Sequence, residues 1–171
     1  GAASPVGLTT ETDAVRVSEF PAVSDIVIGG HDIATTPLEE RAEHLAAGGM
    51  FPAALVDAVR ERLRATEENL RAVPTLTTTQ QEEIDLLAAD IVDFRERHNL
   101  RDVVVIDVSS TEPLPPYHPG FEDDEALQTA LTTPGVRVLP PSSRAALAAI
   151  AAGAAYAAFT PSASLNLPVL R

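Results

Sequence analysis

Two stretches decide how this chain reads: Asp25-Ile-Val-Ile-Gly-Gly-His-Asp-Ile33 and Val103-Val-Val-Ile-Asp-Val-Ser-Ser-Thr-Glu-Pro113. Each is a run of aliphatic residues that ends in small polar ones. Such a run predicts a strand buried on both faces, with its polar tip in the loop at the C-terminal end. In open α/β sheets that carboxyl edge is where ligands bind. The first strand is expected over Asp25 to Ile28, stopped by Gly29-Gly30. The second is expected over Asp102 to Val108, at the centre of a parallel sheet. A third, Ala155 to Phe159, ends in Thr160-Pro-Ser-Ala-Ser164, and Ala14 to Phe20 alternates as a further short strand.

Helices are expected between these strands. Thr36-Pro37-Leu38-Glu39 reads as a capping box with proline at the first helical position, opening a helix that closes at Gly48-Gly49. A second helix fits Ala53 to about Leu70, with Leu55, Val59, Leu63 and Leu70 on one face. Thr79-Gln-Gln-Glu82 is another capping box, ahead of a helix with Ile84, Leu87, Ile91 and Phe94 on one face and Asn99 as C-cap. Glu122 to Leu131 and Pro140 to Ala152, the latter closed by Gly153, complete the set. Strands alternating with helices predict an α/β fold with a parallel sheet. No internal repeat and no domain boundary is visible within residues 1–171.

The chain has 171 residues, 45% of them hydrophobic, enough for one domain with a core. Asp and Glu number 25 against 12 Lys and Arg, for a formal net charge of −13. That balance excludes the clustered cations that nucleic acid or an anionic membrane surface requires. All the basic residues are arginine, and lysine is absent. Cysteine is absent as well, so disulfides and thiolate chemistry are excluded. No apolar run spans a bilayer and no signal peptide opens the chain, so the expectation is a soluble cytoplasmic protein.

Asp32 follows Gly-Gly at a strand end, where a carboxylate accepts hydrogen bonds from a ribose or carboxamide, or else merely caps a helix or turn. Ser109, Ser110 and Thr111 follow the second strand directly. They either line a dinucleotide with hydroxyls and amides, or end the strand and turn toward Pro113. Thr160 to Ser164 occupies a similar place. His31, His44, His98 and His118 form no His-x-x-x-His pair and HExxH is missing, so no metal site is expected. His44 and His98 read as solvated. No G-x-S-x-G elbow supports a serine hydrolase.

Taken together, these segments resemble the myo-inositol-1-phosphate synthase family. Ala14-Val-Arg-Val-Ser-Glu-Phe20 is similar to the strand that precedes the family's Gly-Gly-Trp-Asp-Ile motif, and Gly29-Gly-His-Asp-Ile33 stands for the motif itself. Residues 37–98 take the place of the family's helical insertion. Val108-Ser-Ser-Thr-Glu112 resembles a strand end reading Thr-Ala-Asn-Thr-Glu. Pro140-Pro-Ser-Ser143 and Thr160-Pro-Ser-Ala163 sit where the family has Ser-Pro-Ser-Thr and Ser-Pro-Gln-Asn.

The resemblance implies a partial Rossmann-like NAD-binding domain over 1–171, incomplete at both ends. It implies an NAD-dependent isomerase that converts glucose 6-phosphate to myo-inositol phosphate: oxidation by NAD, enolisation, aldol closure, and reduction by the NADH just made. Asp32 and Ile33 would contact the adenosine side of NAD. Ser109, Ser110 and Thr111 would line its middle, and Thr160 and Ser162 would lie toward the nicotinamide. A hexose phosphate substrate and a homotetramer are implied as well.

This sequence departs from the family at His31, in place of Trp, and at Ser162, in place of Gln. The phosphate loop is expected before Gly1 and the catalytic lysines after Arg171, so this chain alone is expected to be inactive. Two other readings are a divergent cyclase acting on another sugar phosphate and a noncatalytic nucleotide-binding module or subunit.

Overall fold

The computed structural model describes residues 25–75 and 77–170. The expected strand over Ala14–Phe20 lies outside them. In chain order the elements are β1 (Gly30–Asp32), α1 (Leu38–Ala47), α2 (Ala53–Glu67), β2 (Leu70–Ala72), α3 (Gln80–Arg97), β3 (Val104–Asp107), α4 (Asp124–Thr132), α5 (Pro141–Ala151) and β4 (Ala155–Ala158). Short 3₁₀ turns span Pro119–Phe121 and Pro168–Leu170. The fold is α/β, and both strand pairs of the described residues are parallel, as the sequence predicts. Among the described residues the strands form two separate pairs: β1 beside β2, with Gly30 opposite Leu70, and β3 beside β4, with Val104 opposite Ala155.

The first strand is displaced from its expected position. Residues 26–29 are not in a strand, and β1 begins at Gly30, whose N–H donates to the Asn69 carbonyl at 3.1 Å. The Asn69 side chain also donates to the Ile28 carbonyl at 3.2 Å. Pairing is thus set by the Asn69–Ala72 segment, where the sequence predicts the end of a helix at about Leu70 and no strand. α2 stops at Glu67, and the next residues are recruited as β2. Three residues show no periodicity, so only the tertiary pairing reveals them.

Several local signals hold. Thr79 accepts from the Glu82 N–H at 3.1 Å while Glu82 accepts from the Thr79 N–H, completing the capping box of α3. Asn99 adopts φ +50° and Gly153 φ +69°, closing α3 and α5 in left-handed turns. The Thr36 box does not form. The Leu38 N–H is satisfied instead by Glu67 at 2.6 Å, because α1 and α2 pack as a hairpin that brings the end of one to the start of the other. In α2 the buried residue is Val56, while Leu55 is 49% exposed, so the inward face is rotated from the expected one.

The core lies among α3, α4, α5 and the C-terminal segment. Ile84 and Leu87 of α3 meet Leu127 and Leu131 of α4, Ala148 of α5, and Phe121, Leu139, Ala163 and Leu167. Buried Gln80 ties this core to its loop: its carbonyl accepts from the Val138 and Leu139 N–H groups at 2.7 and 3.0 Å, and its amide donates to the Leu139 carbonyl at 2.8 Å. The expectation that β3 is a central strand is corrected. Among the described residues it has one neighbour, and Ile106 is 54% exposed. An aliphatic run records strand composition but not how many layers cover it.

The two glycines before His31 differ. A Cβ on Gly29 would lie 2.6 Å from Phe94 Cε2 and 3.0 Å from the Asn69 carbonyl oxygen, whereas one on Gly30 meets nothing within 4 Å. Gly29→Ala is therefore expected to destabilise the fold by about 1–3 kcal/mol, the usual cost of overpacking. Gly30→Ala is expected to be neutral or slightly stabilising. Equal urea midpoints for the two variants would contradict this assignment.

Candidate functional site

At the tip of β1, Asp32 is held from two sides. Its Oδ1 accepts from the Ala34 N–H at 2.9 Å and its Oδ2 from Arg41 Nη1 at 2.9 Å. The Ala34 amide first, and Arg41 second, hold the Asp32 carboxyl below the usual carboxylate range. Ile33 is 88% exposed beside it. His31 turns away from the tip: its Nε2 lies 3.0 Å from Asp90 Oδ2 on α3. Arg71 of β2 reaches Asp90 and Asp93 on the same helix. His31 is thus an anchor of β1 rather than a group at the edge. His98, expected to be solvated, is half-buried: its ring lies 5.0 Å from that of Phe94 and its Nε2 lies 2.8 Å from Asn69 Oδ1.

The tips of β3 and β4 form one hydrogen-bonded edge. Asp107, the last residue of β3, accepts from the Ser109 N–H at 3.0 Å and from the Ser109 hydroxyl at 2.6 Å. Its other oxygen accepts from the Tyr156 hydroxyl of β4 at 3.0 Å. Burial pushes the Asp107 carboxyl up, but Ser109 and Tyr156 outweigh it, and the group stays below the usual range. Burial, reinforced by the Asp107 charge and opposed by the Ser164 hydroxyl 3.1 Å away, pushes the Tyr156 phenol up to about 12.

Helix α5 supplies no acid in its own first turn, and Pro140 provides no side-chain cap. Glu112 takes that place from outside the helix. It accepts from the Ser142 hydroxyl and from the Ser142 N–H at 3.4 Å. A carboxylate is favoured there by the helix dipole and by amides without intrahelical partners. The Ser142 hydroxyl accepts from the Ser164 N–H at 2.9 Å, and Ser143 Oγ donates to the Ser164 carbonyl at 2.5 Å. Ser162, 6% exposed, accepts from the Thr160 hydroxyl at 3.2 Å and the Glu112 N–H at 3.4 Å.

Of the sequence-selected residues, Ser109, Thr160 and Ser162 meet in this network, with Ser110 and Thr111 exposed on the connecting loop. Asp32 and Ile33 stand on the other sheet. The sequence does not single out Asp107, Glu112, Ser142 or Tyr156, and marks Ser164 only as part of the Thr160 to Ser164 tip. The available signals were an acid closing an aliphatic strand and a second acid just before Pro113. What remains open at the edge is hydroxyl and amide. That donor set fits the uncharged parts of a dinucleotide, while its anion-binding amides at Ser109 and Ser142 are occupied by Asp107 and Glu112. Among the described residues no group of three or more His, Asp or Glu side chains is placed to hold a metal ion, and no helix is long and apolar enough to cross a membrane.

Parallel strand pairs with small polar residues at their carboxyl tips, alternating with helices, are the parts of a nucleotide-binding domain. A family model described as myo-inositol-1-phosphate synthase matches residues 9–171, and the matched region is that family's NAD-binding domain. The chain belongs to the myo-inositol-1-phosphate synthase family, and its cofactor is NAD. No curated protein matches it.

Because Asp107 has a depressed folded pKa, its contribution to stability is present above its unfolded value of about 3.9. It is lost as pH falls through the lower folded value. Asp107→Asn is expected to shrink the loss of urea stability between neutral and strongly acidic pH. Identical pH profiles for variant and parent would refute that role.

Proposed function

We propose that this chain is the NAD-holding part of an enzyme that cyclises a hexose 6-phosphate, converting glucose 6-phosphate to myo-inositol phosphate. The family match over 9–171 carries this reading. It is supported by hydroxyl-bearing tips at the two strand ends where the family motifs fall. NAD, when bound, supplies the hydride acceptor and donor of a cycle that ends with the cofactor regenerated.

The chain's own residues bind and orient. Asp32 accepts from ribose hydroxyls with the lone pairs left by Ala34 and Arg41, and Ile33 offers an apolar face to the adenosine side. Ser109, Ser110 and Thr111 line the middle of the cofactor. Thr160 and Ser162 shape the loop toward the nicotinamide. Ser162 acts largely by holding Thr160 and Glu112 in place, since it is itself buried. In this reading residues 1–171 form a partial Rossmann-like domain with a helical insertion at 37–98. The protein works as a cytoplasmic homotetramer, with neither nucleic acid nor membrane as partner.

Proton transfer is a different matter. No lysine is present in the chain, and arginine stays protonated, so it does not take over a lysine's acid–base work. The same observation favours a second reading, a noncatalytic NAD-binding subunit. The 171-residue chain alone is expected to form no inositol phosphate from glucose 6-phosphate and NAD, and product detected by mass spectrometry would overturn this division of labour. Asp32→Ala is expected to weaken NAD binding about tenfold or more, as loss of a charge-assisted hydrogen bond implies. Circular dichroism should stay unchanged. An unaltered calorimetric titration would remove Asp32 from the cofactor site.

A further inference from the structure

The ion pair at the tip of β1 bears on which dinucleotide the site accepts. A strand-tip carboxylate that binds the ribose 2′-hydroxyl excludes a 2′-phosphate by like-charge repulsion, and an arginine nearby admits it. Here the two features are joined. Arg41 Nη1 donates to Asp32 Oδ2 at 2.9 Å, and each side chain is one-third exposed. The guanidinium makes no other hydrogen bond within the described residues, and its Nε is buried without a partner. Its charge is not drawn off by its own helix, because Glu39 and Glu43 of α1 pair with Arg60, and Glu39 also with Arg64. The carboxylate that would repel a phosphate is therefore neutralised, and the neutralising group is itself a planar phosphate ligand with unused donors.

We propose that Arg41 reads the ribose 2′ position and admits a phosphate there, so that the site takes NADP as well as NAD. The proposal rests on the reading of Asp32 as a ribose acceptor. A 2′-phosphate would share the guanidinium with Asp32, whereas a 2′-hydroxyl needs only the carboxylate. Arg41 is thus a specificity-determining residue, and its loss falls on one cofactor more than on the other.

Calorimetric titration of the chain with NAD and with NADP tests this. The parent protein is expected to bind NADP within about thirtyfold of NAD, or roughly 2 kcal/mol. Arg41→Met keeps the apolar stem and removes the charge, and is expected to raise the NADP-to-NAD ratio of dissociation constants at least tenfold. Arg41→Lys keeps the charge without the fork and is expected to fall between. It also serves if the methionine variant does not fold. The fragments 2′,5′-ADP and 5′-AMP should follow the same order. Discrimination against NADP beyond thirtyfold in the parent, or a ratio unmoved by either variant, overturns the role of Arg41 while leaving NAD binding intact. Absence of NAD binding altogether sinks the ribose reading, and this inference with it.

Discussion

The acidic face of α3 is the constraint on which both strand pairs depend. On one side Asp90 takes His31 of β1 and Arg71 of β2, and Asp93 takes Arg71 as well. On the other, nearly buried Glu83 takes Arg144 of α5 at 2.8 Å and Arg137 at 3.3 Å, and Arg95 donates to the Ala152 carbonyl. The pairs to Asp90 and Asp93 are only partly buried, and each contributes modestly in isolation. Their effect is positional: they fix two short strands that three- and four-residue ladders would hold poorly. Glu83 differs, since removing one of its arginines strands a buried charge. The strand tips thus take their geometry in part from a helix that adds no residue to them.

At the tips themselves, polarity is arranged so that the protein's own carboxylates satisfy its most anion-attracting groups. Glu112 sits on the α5 N-terminus, and Asp107 sits on the Ser109 amide. A helix N-terminus in this class of fold is ordinarily a phosphate seat. Filling it with a carboxylate moves the edge's preference toward neutral hydroxyls and amides. The β1 tip has the opposite arrangement, because there an arginine offsets the carboxylate. Under the proposed reading, charge tolerance therefore belongs to the adenosine side and neutrality to the nicotinamide side.

The sequence announced the fold class, the capping box of α3, the left-handed closures at Asn99 and Gly153, and the three polar tips. Each of these is a local property, decided by a few adjacent residues. It did not announce β2, because Leu70-Arg-Ala72 becomes a strand only by pairing with β1. For the same reason β1 lies at Gly30–Asp32, four to five residues beyond the expected Asp25–Ile28. The inward face of α2 was misjudged since Leu55 and Val56 are equally apolar, and only packing against α1 chooses between them. Gln80 reads as one more polar residue after a cap, yet it is fully buried beside the core, where its partners lie nearly sixty residues away. The strand tips follow the same rule: hydroxyls at strand ends are legible in the sequence, while the acids that bond to them are not.

Asp107 illustrates why. Within Val103 to Val108 it interrupts an otherwise aliphatic strand, and by hydropathy alone it is a defect. Its side chain shares a face with Val105, pointing away from exposed Val104 and Ile106, so it is carried toward Tyr156 and α5. A half-buried carboxylate is tolerated there because it is hydrogen-bonded, and Ser109 and Tyr156 supply those bonds from the two tips it joins. The apparent defect is thus the link that makes one edge out of two strands. An acid closing an apolar strand just ahead of small hydroxyl residues is a pattern with a physical meaning: the strand end carries an acceptor, and the loop after it carries the donors.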